Sequence, residues 1–152
     1  MVAAEDAART ALIDDLTRAA YKLSAADARL RGRATRRPGA LSLTHARALK
    51  SLDEKGPMTI GELAHNVETT GPAVTQLVTG LEAAGFVTRT RGEGGDRRVA
   101  TVALTRAGRE RHRTRQRHLQ YSLVEMTSDL DPAHIEITAV LLRRLADLYD
   151  TL

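Results

Sequence analysis

Thr70–Leu104 reads TGPAVTQLVTGLEAAGFVTRTRGEGGDRRVATVAL, and its first half predicts a helix. Val74, Leu77, Val78 and Leu81 fall at i, i+3, i+4 and i+7, one apolar stripe at helical period. Thr70 or Gly71 can cap this helix, Pro72 suits its first turn, and Gly85 suits its C-terminal stop. The opposite face carries Pro72, Ala73, Thr75, Gln76 and Thr79, short or hydrogen-bonding side chains without charge. Such a face can enter a DNA major groove closely, with Gln76 against an adenine edge and the Thr and Ala methyls against thymine methyls. A solvated Thr-rich face would look the same, so the helix alone does not decide.

The second half does. Phe86–Arg91 and Arg98–Leu104 are strand-type runs rich in Val and Thr, and the GEGGDR between them supplies three glycines for positive φ. The segment predicts a hairpin. Arg89, Arg91, Arg97 and Arg98 crowd it, where an ordinary solvated hairpin mixes its charges more evenly. Arg89, Arg91 and Arg97 are placed to position a protein on phosphates. Asp96 can pair with Arg98 and hold it extended, and an arginine at a narrow tip suits the minor groove.

A helix, then LEAAGFVTR, a Gly-rich loop, DRR and a strand ending in LT resembles the winged helix-turn-helix of the MarR (multiple antibiotic resistance regulator) family. The residues that carry the resemblance are Leu81, Glu82, Gly85, Phe86, Val87 and Arg89, then Asp96, Arg97 and Arg98, then Leu104, Thr105 and Gly108. It spans roughly residues 10–150 and is densest over 70–108. It implies a mainly α fold with a small β-wing and a helical dimerisation region from the N- and C-terminal helices. It also implies that the Thr70–Thr79 face, Gly71 included, enters the major groove and that Asp96 and Arg98 serve the minor groove.

The rest of the chain fits three stretches. Residues 1–38 hold a helix over 5–31, with Leu12, Leu16 and Leu23 on its apolar side, and a basic linker RGRATRRP at 31–38. The resemblance places this helix in a dimer; packing against its own domain fits the residues as well. Residues 39–105 form the winged domain. A helix over 42–55, capped by Ser42 or Thr44, turns Ala46, Leu49 and Leu52 inward. Met58–Ile60 is the third, edge strand, and Thr59 caps the following GELAHNV. Glu68–Gly71 is the turn of the helix-turn-helix, short and containing Gly. Residues 106–152 begin with a helix, capped by Thr105, whose first half is nearly all polar, as connecting helices often are. Asp131-Pro132 opens the last helix. Its Leu141, Leu145, Leu148 and Tyr149 belong to an apolar surface too wide for one flank of a small domain, which reads as a dimer interface.

Composition narrows the functions. With 152 residues, 42% hydrophobic and 28% charged, the chain suits a single globular protein with a real core. Aromatics are only 3%, which argues against stacking platforms for single strands. The net charge of +4 is carried by arginine, lysine occurring only at 22, 50 and 55. There is no cysteine, so disulfides, thiolate catalysis and Cys-ligated zinc are excluded. The N-terminal MVAAEDAART lacks the apolar core of a signal peptide, and no apolar run approaches about 20 residues, so a cytoplasmic protein is expected.

No catalytic constellation is present: there is no P-loop, no dinucleotide fingerprint, no G-x-S-x-G and no H-E-x-x-H. The Gly92–Gly95 run sits in a hairpin, the wrong context to cradle phosphate. His112 and His118 lie six apart on one helix and on different faces, so no metal site is expected from them, and no cofactor is expected at all. The reading is a homodimeric, sequence-specific regulator of double-stranded DNA acting as a repressor on a pseudo-palindromic operator. The alternative is a sequence-tolerant architectural DNA-binding protein without a ligand. The resemblance further implies a small anionic or phenolic effector, for which the polar residues His45, Arg47, Arg109 and His112 are the candidate lining.

Overall fold

Ser42 shows how local chemistry sets the element boundaries. Its hydroxyl accepts the His45 N–H, the His45 ring returns a bond to the Ser42 backbone, and helix α2 (Leu43–Lys55) starts there. Thr59 and Glu62 form the same reciprocal box for α3 (Ile60–Asn66), and Thr70 caps α4 (Gly71–Ala83) with Pro72 in its first turn. The computed structural model describes residues 2–36, 39–91, 100–149 and 151. The remaining elements are α1 (Val2–Arg36), β1 (Met58–Thr59), β2 (Val87–Arg91), β3 (Ala100–Leu104), α5 (Arg106–Met126) and α6 (Pro132–Tyr149). The expected mainly α architecture with a small antiparallel wing is the one observed. Two compact units divide the chain, Met1–His112 and Arg113–Leu152, with the division inside α5.

In the first unit the three strands run in the order β1-β3-β2, all antiparallel. Met58 and Arg89 both stand opposite Val102, and Val87 stands opposite Leu104. The core lies between this sheet and α2, α3 and α4. Leu49, Leu63, Val67, Val74, Val78, Leu81, Val87 and Val102 are its largest fully buried apolar members. The stripe predicted for α4 is the buried one: Val74, Leu77, Val78 and Leu81 all face in.

Helix α4 ends in a Schellman arrangement. Phe86 N–H donates to the Leu81 carbonyl and Gly85 N–H to that of Glu82, with Gly85 at φ 75°. Thr105 then fastens the wing to α5. Its N–H donates to Phe86 O at 3.0 Å, its hydroxyl to Gly85 O at 2.7 Å, and that same hydroxyl accepts the Gly108 N–H. The approach is so close that a Cβ on Gly108 would lie 1.9 Å from the Phe86 carbonyl oxygen.

Four local expectations are corrected. Residues 31–36, read as linker, continue α1; Arg and Ala are good helix formers, and Arg31 pairs with Asp27 one turn back at 3.1 Å. Ile60, read as the end of the edge strand, opens α3 because Thr59 is its cap. On α2, Ala48 is fully buried and Ala46 only half so. Gly71, read as the turn glycine, is the first residue of α4. The left-handed position of the turn falls on Glu68 at φ 53°, a conformation that non-glycine residues adopt at some cost. Arg47 reaches this residue, its guanidinium 3.3 Å from the Glu68 carboxylate.

In the second unit, Asp131 caps α6 by accepting the Ala133 N–H at 2.8 Å. No residue of α6 is buried.

Candidate nucleic-acid interface

Packing fixes which side of α4 is available. With its apolar stripe against α2, α3 and the sheet, the helix turns Pro72, Ala73, Thr75, Gln76 and Thr79 to solvent, and Thr70 at its cap is exposed as well. Gly71 is half-buried. The threonine hydroxyls are committed as donors: Thr75 to Gly71 O at 3.0 Å and Thr79 to Thr75 O at 2.8 Å. They offer methyl groups outward, and the Thr79 oxygen also accepts from Arg89. The Gln76 side chain has no intramolecular hydrogen bond among the described residues and so presents both a donor and an acceptor. That pair matches the N7 and N6 edge of adenine.

The hairpin is present as β2 and β3, paired from Val87–Leu104 to Arg91–Ala100. Asp96, Arg97 and Arg98 lie outside the described residues, as does the side chain of Arg91. Arg89 is described, and it points somewhere unexpected. Side chains alternate across a strand, so Arg89 shares a face with buried Val87 and stands opposite buried Val102. Its Nη2 donates to Thr79 Oγ1 at 2.7 Å and to Thr75 O at 3.4 Å, while Nε sits 3.4 Å from the Glu82 carboxylate without the alignment of a hydrogen bond. The two-residue spacing of Val87 and Arg89 is the signal in the sequence that sets Arg89 on the core side of β2.

The four residues expected to line an effector site have different surroundings. Arg47 is exposed and pairs with Glu68. Arg109 pairs with Asp53 of α2 at 2.7 Å, and His112 is buried. His45 lines a cleft of about 300 Å³ between the end of α1, the start of α2 and the last turn of α4. Arg36, Leu41, Gly80 and Ala84 line it too. His45 Nδ1 takes bonds from the Ser42 N–H at 3.3 Å and the Ser42 hydroxyl at 2.7 Å. The remaining ring proton therefore sits on Nε2, 4.0 Å from where a Gly80 Cβ would stand. Burial holds the imidazole pKa below its ordinary value, which keeps the ring neutral.

The apolar residues expected at a dimer interface are open in the single chain. Leu12, Leu16, Leu23, Leu141, Leu148 and Tyr149 are exposed and Leu145 is half-buried. Among the described residues no cluster of His, Asp or Glu could hold a metal, and no helix is long and apolar enough to cross a membrane.

The model of the MarR family matches residues 41–99. An uncharacterised HTH-type transcriptional regulator of Bacillus subtilis, YcgE, is 31% identical over 107 residues, covering 70% of this chain and 69% of that protein. Among solved structures, Streptococcus pneumoniae FabT in complex with DNA superposes with a TM-score of 0.62 at 21% identity, covering 86% of this chain and 94% of that one. The PcaV transcriptional regulator of Streptomyces coelicolor, in complex with its natural ligand, gives 0.60 at 20% identity over 70% and 74%. Both structural likenesses concern the fold.

Proposed function

This chain belongs to the MarR family of transcriptional regulators, and from that premise we propose that it is a homodimeric repressor binding pseudo-palindromic duplex DNA and released by a small effector. The observation that carries the reading is the α4 face. Its uncharged, groove-sized side chains are outward, Gln76 is uncommitted, and the helix is braced from behind by a closed core. In a two-fold dimer, two such helices would enter successive major grooves about one helical turn apart. The wing would add Arg91 and Arg97 to phosphates and Arg98, braced by Asp96, to the minor groove. The exposed apolar residues of α1 and α6 supply the dimer contacts.

The effector would use the His45 cleft. Its volume is at the lower end for small-molecule sites. Its walls are mostly Ala, Gly and Leu, with Arg36 and the His45 Nε2–H as donors, a set that favours a compact anion with an apolar body. A ligand there would press on the last turn of α4 and shift the balance between arrangements that fit DNA and those that do not. FabT was solved with DNA and PcaV with its natural ligand, which supports both halves of the proposal.

The test is selection of bound duplexes from a random pool, with wild type and Arg98→Ala side by side. The expected result is a two-fold symmetric motif with half-sites about ten base pairs apart, weakened more by Arg98→Ala than by a substitution of an arginine outside the winged domain. Flat, salt-sensitive enrichment would favour the architectural alternative instead.

A further inference from the structure

Arg89, the hairpin arginine with a described side chain, turns its guanidinium onto helix α4. A residue serving as a phosphate contact is expected to keep its guanidinium in solvent. Here three separate points of α4 receive it: the Thr79 hydroxyl, the Thr75 carbonyl and the Glu82 carboxylate. The strand register puts it on the inner face with Val87 and Val102, and its side chain is 27% exposed against 43% for Glu82. The points it touches are spaced along one edge of α4, from the second turn to the last. The Thr79 hydroxyl it grips is itself bonded to Thr75 O, so guanidinium, hydroxyl and carbonyl close a small ring.

We propose that Arg89 is a positioning residue that clamps the recognition helix to the wing strand and thereby sets base specificity, rather than a phosphate contact. Two rigid links hold α4. One is its apolar stripe, which fixes which side of the helix turns outward but sets its fine rotation less sharply, because hydrophobic burial is non-directional. The other is the Arg89 fork, which is planar and directional. Rotation of α4 by a fraction of a turn would move Gln76 off the base edge it reads, so the fork acts on specificity through Gln76 and Thr75. The inference rests on the reading of α4 as a sequence-reading helix.

The two roles leave different marks on salt dependence. Loss of a phosphate contact lowers the slope of log K against log salt by about 0.9 and weakens all sequences alike. Loss of a clamp lowers the ratio of operator to shuffled-duplex affinity and leaves the slope on shuffled DNA unchanged. For Arg89→Ala the expected result is a fall in that ratio of about tenfold, comparable to losing one good base contact, at constant slope. Arg89→Lys keeps the charge, but a single ammonium cannot stand both beside the Glu82 carboxylate, where Nε lies, and at Thr79 and Thr75, where Nη2 donates. It too should lose the ratio, whereas a phosphate contact would survive this substitution.

Amide hydrogen exchange over residues 75–82, measured on free protein, supplies a readout without DNA: the clamp predicts faster exchange there in Arg89→Lys. Wild-type exchange in that variant, or equal weakening on both duplexes with a reduced slope, would overturn the proposal. Absence of operator preference in the wild type would sink the regulator reading alone, and the exchange measurement would still decide the clamp.

Discussion

The winged lobe and the outer helices use similar apolar residues to opposite effect. Every buried apolar side chain among the described residues lies between Leu41 and Val102. Helix α6 carries Ile135, Leu141, Leu142 and Leu148, yet none is buried, and Leu12, Ile13 and Leu23 of α1 are similarly open. The lobe closes a core from short elements because three capped helices and a three-stranded sheet surround it. Helices α1 and α6 each present apolar side chains that a single chain leaves in solvent. Under the proposed function the two regions answer to different partners. The lobe satisfies itself and turns its uncharged helix face outward, while the apolar faces of α1 and α6 are those a second copy would cover.

Predictions that bear on this contrast differ in size. The largest concerns the junction at Gly108. Alanine there would place a Cβ 1.9 Å from backbone, whereas alanine at Gly80 meets nothing closer than 4.0 Å. Gly108→Ala should lower lobe stability by about 3 kcal/mol or more through overpacking against a carbonyl that cannot move freely. Gly80→Ala should instead raise stability by up to about 1 kcal/mol from helix propensity. Urea unfolding of both variants checks the pair; equal effects would mean that the Thr105–Phe86 junction is soft and the lobe is not the rigid partner in the comparison.

A smaller effect comes from the cap of α3. Glu62 accepts the Thr59 N–H at 2.8 Å and the Thr59 hydroxyl at 2.9 Å, which holds its carboxyl below the ordinary carboxylate value. A lowered folded pKa means stabilisation that is present above the unfolded value of 4.5 and is lost as pH falls through the folded one. Glu62→Gln keeps the reciprocal box without a titrating group. Acid unfolding of the two proteins should diverge slightly below that pH, the wild type losing more. Superimposable curves would remove the Glu62 cap from the account of the lobe.

Much of this was readable in the chain. The α4 stripe, the caps at Thr59, Thr70 and Asp131, the stop at Gly85 and the paired strands all follow from short-range chemistry, which a sequence displays directly. What was not readable depends on tertiary neighbours. Arg89 reads as one more basic hairpin residue until the register sets it opposite Val102. Glu68, with no feature of a turn glycine, takes the left-handed position. His45 looked like one of four polar candidates. The fold sends Arg109 to Asp53 and buries His112, and Arg36, taken for part of a solvated linker, lines the cleft with His45 instead.

The claim that most needs testing is that the outer helices exist for a second copy and that DNA recognition depends on it. Sedimentation equilibrium of wild type and Leu141→Asp, alone and with a selected duplex, tests this directly. The account predicts that free wild type sediments at about twice the chain mass of 16.5 kDa and binds each duplex as two protomers. Leu141→Asp should sediment as a folded monomer with weakened, non-cooperative binding. A wild type that remains a single 16.5 kDa chain and occupies a full site alone would contradict the account.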